Sequence, residues 1–228
     1  MKAQYTYLVI LAASLAGPLL LSFDKKVAFY KNWRHWFYAV TLPALVYIAW
    51  DVYFTAKGVW AFNPVYVTGI YIINLPLEEV LFFFVVPYCC VFIYECIKAY
   101  FPQLKNKAAA DVILMLLGLL LWITGIIFYR KDYTSWTFIS NAVFIGIVYM
   151  FRNYLKTFDA TVFLISYCIM LIPFLIVNGF LTSIPVVLYN NAENLGTRLY
   201  SIPVEDVFYG MLLILATIVI YEKLKSER

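Results

Sequence analysis

Leu75-Pro76-Leu77-Glu78-Glu79-Val80 and Ile202-Pro203-Val204-Glu205-Asp206-Val207 share one pattern, a proline followed two residues later by two adjacent acids, at the mouth of a long apolar run. The two prolines are 127 positions apart, and the same offset matches Asn63 with Asn190, Gly69 with Gly196 and Thr55 with Thr182 without a gap. It continues through Tyr94-Glu95 and Lys98 against Tyr221-Glu222 and Lys225, and sets Asp51 opposite Asn178. The repetition predicts two equivalent halves, delimited most firmly over 51–98 and 178–225.

With 64% hydrophobic residues, 13% charged residues and a mean hydropathy of +0.84, the chain cannot cover a soluble core with a polar shell. Apolar stretches of the roughly 17–25 residues that cross a bilayer are read at 5–22, 36–54, 80–94, 109–128, 133–151, 160–180 and 204–221. The expected fold is an all-α polytopic membrane protein with seven transmembrane helices. The third span reaches full length only if its acids enter the membrane. Residues 58–74 are apolar but interrupted by Asn63-Pro64 and Gly69, and their counterpart carries Asn190, Asn191, Glu193, Asn194 and Arg198. Both stretches therefore read as re-entrant or interfacial, a backbone tolerated at membrane depth only against protein or a cavity. Two three-helix halves fused directly would lie upside down relative to each other. The helix at 109–128 matches neither half and corrects this, giving a 3+1+3 plan: a first repeat over 1–104, a linker helix over 105–130 and a second, parallel repeat over 131–228.

A net charge of +4 and a pI near 8.7 would suggest nucleic acid in a soluble protein. Here the basic residues punctuate the spans, and nucleic-acid binding is not expected. Lys2, Lys57, Arg130, Lys131 and Arg198 fall on one side and the other twelve of the 17 Lys and Arg on the opposite side. By the positive-inside rule the N-terminus lies outside and the C-terminus in the cytoplasm, in the cell (inner) membrane, with both acid motifs in its outer half. The first span has one basic residue before it and four after it, as a retained anchor rather than a cleaved signal peptide would. Cys89, Cys90, Cys96 and Cys168 lie in apolar spans with no CxxC spacing and read as small buried residues, and the lone His35 sits in an aromatic belt. No metal site is expected.

Carboxylates inside a membrane bundle are functional candidates. A first-turn acid can simply cap helix N–H groups, but two acids in succession, twice, exceed what capping needs. Glu95 lies about 24 Å beyond Glu79 along a helix at ~1.5 Å per residue and reads as a solvated charge at the cytoplasmic edge. Aromatics make up 20% of the chain; Trp60, Tyr71 and Phe82 lie near the first motif, suited either to lipid packing or to lining a site for a flat polyene and stabilising carbocations. The sequence holds no DDxxD pair, no GxGxxG or P-loop, no His cluster, and no mid-membrane lysine in its last helix for a retinal Schiff base.

The Pro-Leu-Glu-Glu and Pro-Val-Glu-Asp motifs, with Trp50-Asp51 and the Gly58, Trp60, Phe62 stretch upstream, resemble the heterodimeric-type lycopene cyclases. In that family two small membrane subunits, each with a P-x-E-E/D motif, are sometimes fused, and the chain resembles the fused form over nearly its full length. The resemblance implies a lycopene β-cyclase: a redox-neutral, flavin-independent cyclisation of the ψ-end of lycopene or a related linear carotenoid, without a cofactor. Glu78 and Glu205 would be the leading acid/base residues, and Glu79 and Asp206 would tune them or relay protons. Asp51, Asn63 and Asn190 would orient the carboxylates, and membrane lipids and other carotenoid enzymes are the implied neighbours. Two alternatives stay open: a small-solute transporter, since 3+1+3 repeats also occur in sugar facilitators, and a carotenoid-binding protein without catalysis.

Overall fold

The computed structural model describes residues 2–227. Seven α-helices dominate: α1 (Thr6–Leu21), α2 (Trp33–Lys57), α3 (Leu77–Tyr100), α4 (Ala108–Ile127), α5 (Asp132–Met150), α6 (Ala160–Ser183) and α7 (Val204–Ser226). Six are long and apolar enough to cross a membrane; α5 is the exception. Its 19 residues include Thr134, Ser135, Thr137 and Asn141, all buried, so its polarity is turned into the bundle. Large apolar side chains such as Leu20, Leu42, Leu116 and Ile172 are exposed, as an apolar solvent around the bundle permits. α3 attains 24 residues because Glu78 and Glu79 lie in its first turn. Pro76 is its N-cap, and Pro203 is the N-cap of α7.

The stretches expected to be re-entrant or interfacial are minimal β-structure. β1 (Trp60–Phe62), β2 (Tyr71–Ile72) and β3 (Leu75–Pro76) precede α3; β4 (Val187–Tyr189), β5 (Arg198–Leu199) and β6 (Ile202–Pro203) precede α7. β2 pairs with β3 and β5 with β6 as tight hairpins, while β1 pairs antiparallel with β4 in the register Trp60 to Tyr189 and Phe62 to Val187. The halves are thus joined by main-chain hydrogen bonds. Gly69 (φ 84) and Gly196 (φ 74) occupy equivalent left-handed positions that other residues adopt only with strain.

Helix packing is crossed. α1 lies on α3 and α5 on α7 within the halves, but α2 packs on α7 and α6 on α3, so each acid-bearing helix is held by both halves. α4 packs mainly on α5. Its Gly118 and Gly125 let the backbones approach: a Cβ at Gly125 would stand 2.7 Å from Ile139 Cγ1, the small-residue contact typical of helices in lipid.

At the far ends of α3 and α7 the expectation for Glu95 is overturned. Glu95 is buried, and Lys225 Nζ donates to both of its oxygens at 2.7 Å; reciprocally, Lys98 Nζ donates to the buried Glu222 at 2.6 Å. The reading from α3 alone could not include the lysine that α7 brings across. Among the cysteines only Cys90 is buried, and Cys168 faces outward, which corrects the reading of all four as buried.

Removing the cation from a buried carboxylate costs about 1–3 kcal/mol. Lys225→Met should therefore lower the thermal unfolding midpoint in detergent, and Glu95→Lys with Lys225→Glu should recover most of the loss. An unchanged midpoint in Lys225→Met would show the pair to be idle.

Candidate active site

Each hairpin folds back over the N-terminus of the helix it precedes, and the first acid of each motif receives it. Thr68 N–H donates to Glu78 Oε1 at 2.7 Å, and Leu195 N–H, 127 positions on, donates to Glu205 Oε1 at 2.8 Å. Thr134 Oγ1 adds a 2.6 Å bond to Glu205. Both glutamates are 0% exposed. Free N–H groups and a positive dipole end at a helix N-terminus favour an acid there.

The second acid of each motif points elsewhere. Glu79 and Asp206, 8% and 4% exposed, face one chamber together with Asp51, while Glu78 and Glu205 do not line it. Tyr7 donates its phenol to Glu79 Oε2 at 2.6 Å. Asp206 accepts from Tyr133 at 2.5 Å and from Tyr189 at 2.8 Å. Asp51 accepts from Trp60 Nε1. Burial, and then the adjacent Asp206 charge, push the Tyr189 phenol well above its ordinary pKa, so it stays a donor at neutral pH. Asn178, the counterpart of Asp51, also lines the chamber. Asp51 Oδ2 and Asn178 Nδ2 are buried without hydrogen-bond partners among the described residues, as polar atoms at a site for a ligand or water can be.

Trp60, Phe82, Phe174 and Tyr209 supply aromatic walls, with Trp60 5.0 Å from Tyr133 and 5.9 Å from Tyr209 between ring centroids. No Lys, Arg or His lines the chamber. Its free space is about 50 Å³ against ~10–15 Å³ for one water, so it admits a few waters. A 170 Å³ apolar tract between α1, α3 and α6 adjoins it, sharing Phe82, Val86, Phe174 and Asn178.

The sequence-derived candidates thus divide. Glu79, Asp206, Asp51, Trp60 and Phe82 come together in the chamber. Glu78 and Glu205, expected to lead, lie outside it: one oxygen of each accepts a loop N–H, and the other, Oε2, is buried without a hydrogen-bond partner among the described residues. Asn63 Oδ1 accepts from Val65 N–H, and the Asn190 side chain bonds Gly58 O and Ala192 N–H, so both amides serve loop backbone and neither bonds a carboxylate. Tyr71 is exposed, as is the whole of its strand, Tyr71–Ile72.

Sequence reasoning missed Tyr7, Tyr133, Tyr189 and Tyr209. Tyr7 and Tyr133 are structural equivalents: Tyr7 N–H donates to Tyr66 O and Tyr133 N–H to Glu193 O, and each phenol binds the second acid of its own half. Their separation is 126, not 127, so a one-residue slip ahead of α2 and α6 hid the pair. Aligning α1 with α5 after one gap would have exposed it.

Comparison with known proteins adds the family. No curated protein and no solved structure matches the chain. A family model described as lycopene cyclase matches residues 4–97 and again 130–224. Each matched segment contains one proline-acid helix, the hairpin ahead of it and the tyrosine that binds its second carboxylate. The chain, built from two copies of that unit facing one chamber, belongs to the lycopene cyclase family.

Proposed function

We propose that the chain is a lycopene β-cyclase in which Glu79 and Asp206 carry the proton chemistry. Family membership makes it a carotenoid-pathway cyclase with a linear carotenoid as substrate. One observation carries the finer reading: a carboxylate from each half enters the same aromatic-walled chamber, each held by a phenol. Three carboxylates with no cation among the lining residues are costly as anions, and a proton is the available neutralising partner. The resulting carboxylic acid is the species a cyclase needs.

In the proposed reaction the acid delivers a proton to C2 of the ψ-end, leaving a cation at C1. The C5=C6 electron pair forms the C6–C1 bond and moves the cation to C5. A carboxylate then removes the C6 proton, and the C–H electrons become the ring double bond. One proton enters and one leaves, so substrate and product are isomers and the stoichiometry requires neither a flavin nor an electron donor. The faces of Trp60, Phe82 and Tyr209 offer the cation attraction worth up to ~2 kcal/mol when desolvated. Asp51, fixed by Trp60, orients or relays. Glu78 and Glu205 act indirectly, by holding the loops that follow β1 and β4, the strands that carry Trp60 and Tyr189.

The proposed arrangement is seven spans as 3+1+3, with repeats over 1–104 and 131–228 joined by a helix in 105–130. The N-terminus is outside the inner membrane and the C-terminus in the cytoplasm. Lipids surround it, and other carotenoid enzymes are its proposed neighbours.

Expression in lycopene-accumulating cells should yield carotenes with β-rings; unchanged lycopene beside verified membrane expression would sink the reading. Glu79→Gln and Asp206→Asn should each lower ring formation about 10²- to 10⁴-fold, the usual range for loss of a general acid or base. Glu78→Gln and Glu205→Gln retain an acceptor oxygen for Thr68 and Leu195 and should lose less; the opposite ranking would return the leading role to the first acid of each motif. A cysteine at Lys2 should react with an impermeant maleimide in intact cells, and one at Ser226 only after lysis. Reversal would invert the topology.

A further inference from the structure

Two apolar hollows flank the chamber, and they are copies of one another. The 170 Å³ tract between α1, α3 and α6 is lined by Cys89, Cys90, Ile93, Met170, Pro173 and Phe174. A 720 Å³ groove between α2, α5 and α7 is lined at equivalent positions by Ala216, Ile220, Pro43, Val46 and Tyr47. Only the smaller hollow adjoins the chamber that the acids line. It shares Phe82, Val86, Phe174 and Asn178 with the chamber, whereas the larger groove shares no lining residue with it.

The closure has a definite chemical cause. Tyr47 donates its hydroxyl to Tyr209 O at 2.8 Å, and the two rings lie 4.6 Å apart, with Trp50 5.3 Å from Tyr209 on the same wall. On the other side the equivalent residues are Phe174 and Phe82, so Phe174 has no hydroxyl with which to latch. Phe174 instead lays its ring against Gly210, where a Cβ would come within 3.1 Å of it. At its outer end the tract reaches the exposed Pro173 on α6, a residue turned toward lipid.

We infer that the tract between α1, α3 and α6 is the channel holding the polyene arm of the substrate, and that the Tyr47–Tyr209 contact closes its larger twin. The inference rests on the proposed cyclase reading. It makes the pseudo-symmetric protein one-sided: a linear carotenoid slides in from the lipid beside Pro173, and its leading end reaches Glu79 and Asp206 past Phe82 and Phe174. The larger groove is then a lipid-facing surface that takes no part in the reaction.

Cys89 and Ala216 occupy equivalent positions in the two hollows, so Cys89→Trp and Ala216→Trp are matched blocks. Full-length protein, purified and reconstituted in vesicles loaded with lycopene, is assayed for ring formation and, by visible absorbance, for carotene retained on the protein. Cys89→Trp should lose at least tenfold in both, and Ala216→Trp should stay within twofold of the parent chain. Adding Tyr47→Ala to Cys89→Trp should restore part of both by opening the larger groove, a recovery that damage to the fold would not give. Gel filtration and helical circular dichroism check folding; if Cys89→Trp fails them, Cys89→Phe is read instead, with at least a threefold loss expected. Full retention in the Cys89 variants, or an equal loss in Ala216→Trp, overturns the channel, and absence of recovery overturns Tyr47 as the closure. A parent chain that retains carotene without forming rings overturns the cyclase reading alone, because the retention readout still tests the channel. One that neither retains nor cyclises overturns both.

Discussion

The carboxylates of Glu78 and Glu205 each accept one amide N–H from the loop ahead of their own helix, and the rest of the chamber depends on those two bonds. Unpaired backbone groups cost several kcal/mol at membrane depth, so an irregular segment there needs an acceptor buried with it. Once each loop is fixed, β1 and β4 can pair, and the pairing sets the positions of Trp60 over Asp51 and Tyr189 over Asp206. Successive residues on a helix point about 100° apart at 3.6 residues per turn. Two adjacent acids therefore serve two directions: the first faces its own loop, and the second faces the chamber. Loop anchoring and chamber lining thus fall to different members of each pair.

The twofold repetition makes a shared interior, and departures from it make that interior usable. Crossed packing of α2 on α7 and of α6 on α3 prevents either half from forming the chamber alone. Within it, equivalent positions differ: Asp51 faces Asn178, Tyr209 replaces Phe82, and Asp206 receives two phenols where Glu79 receives one. The two carboxylates are consequently not interchangeable, as a proposed reaction that first gives a proton and then takes one from a different carbon requires. The same kind of difference, one hydroxyl at Tyr47 against none at Phe174, separates the two flanking hollows.

The helical architecture and the offset of 127 were legible in the sequence because the residues that carry them have few substitutes. Gly69 and Gly196 hold left-handed backbone, and the acids sit at helix starts where the positive dipole end and free N–H groups favour them. Which of Glu78 and Glu79 lines the chamber was not legible. Which of two neighbours faces the interior depends on where the hairpin folds back, and that is a tertiary fact. α1 and α5 gave no usable signal, since helix faces turned to lipid need only be apolar and tolerate nearly any order of Leu, Ile and Val, while a one-residue slip displaced Tyr7 from Tyr133. Asn63 and Asn190 match at positions where each side-chain oxygen accepts the loop N–H two residues on. Glu95 failed for a related reason: distance along α3 fixes its depth, but only the crossing of α7 supplies Lys225.

A cyclisation through carbocations must also keep water from capturing the cation, which constrains where substrate and proton can come from. One end of the chamber is covered by the β1–β4 ladder, with Trp60, Phe62, Val187 and Tyr189 in the lining, and its free space admits no more than a few waters. A carotenoid end group with its methyl branches is larger than that, so the chamber alone cannot hold the proposed substrate; the adjoining tract has to contribute. The tract is apolar and gives no passage to a proton. On the proposed reading the two reactants therefore arrive by different routes, the polyene from the lipid side and the proton through the carboxylates and phenols under the ladder. Their meeting place is fixed by Glu79 and Asp206, one from each half, and that is a reason for a cyclase of this kind to need both halves.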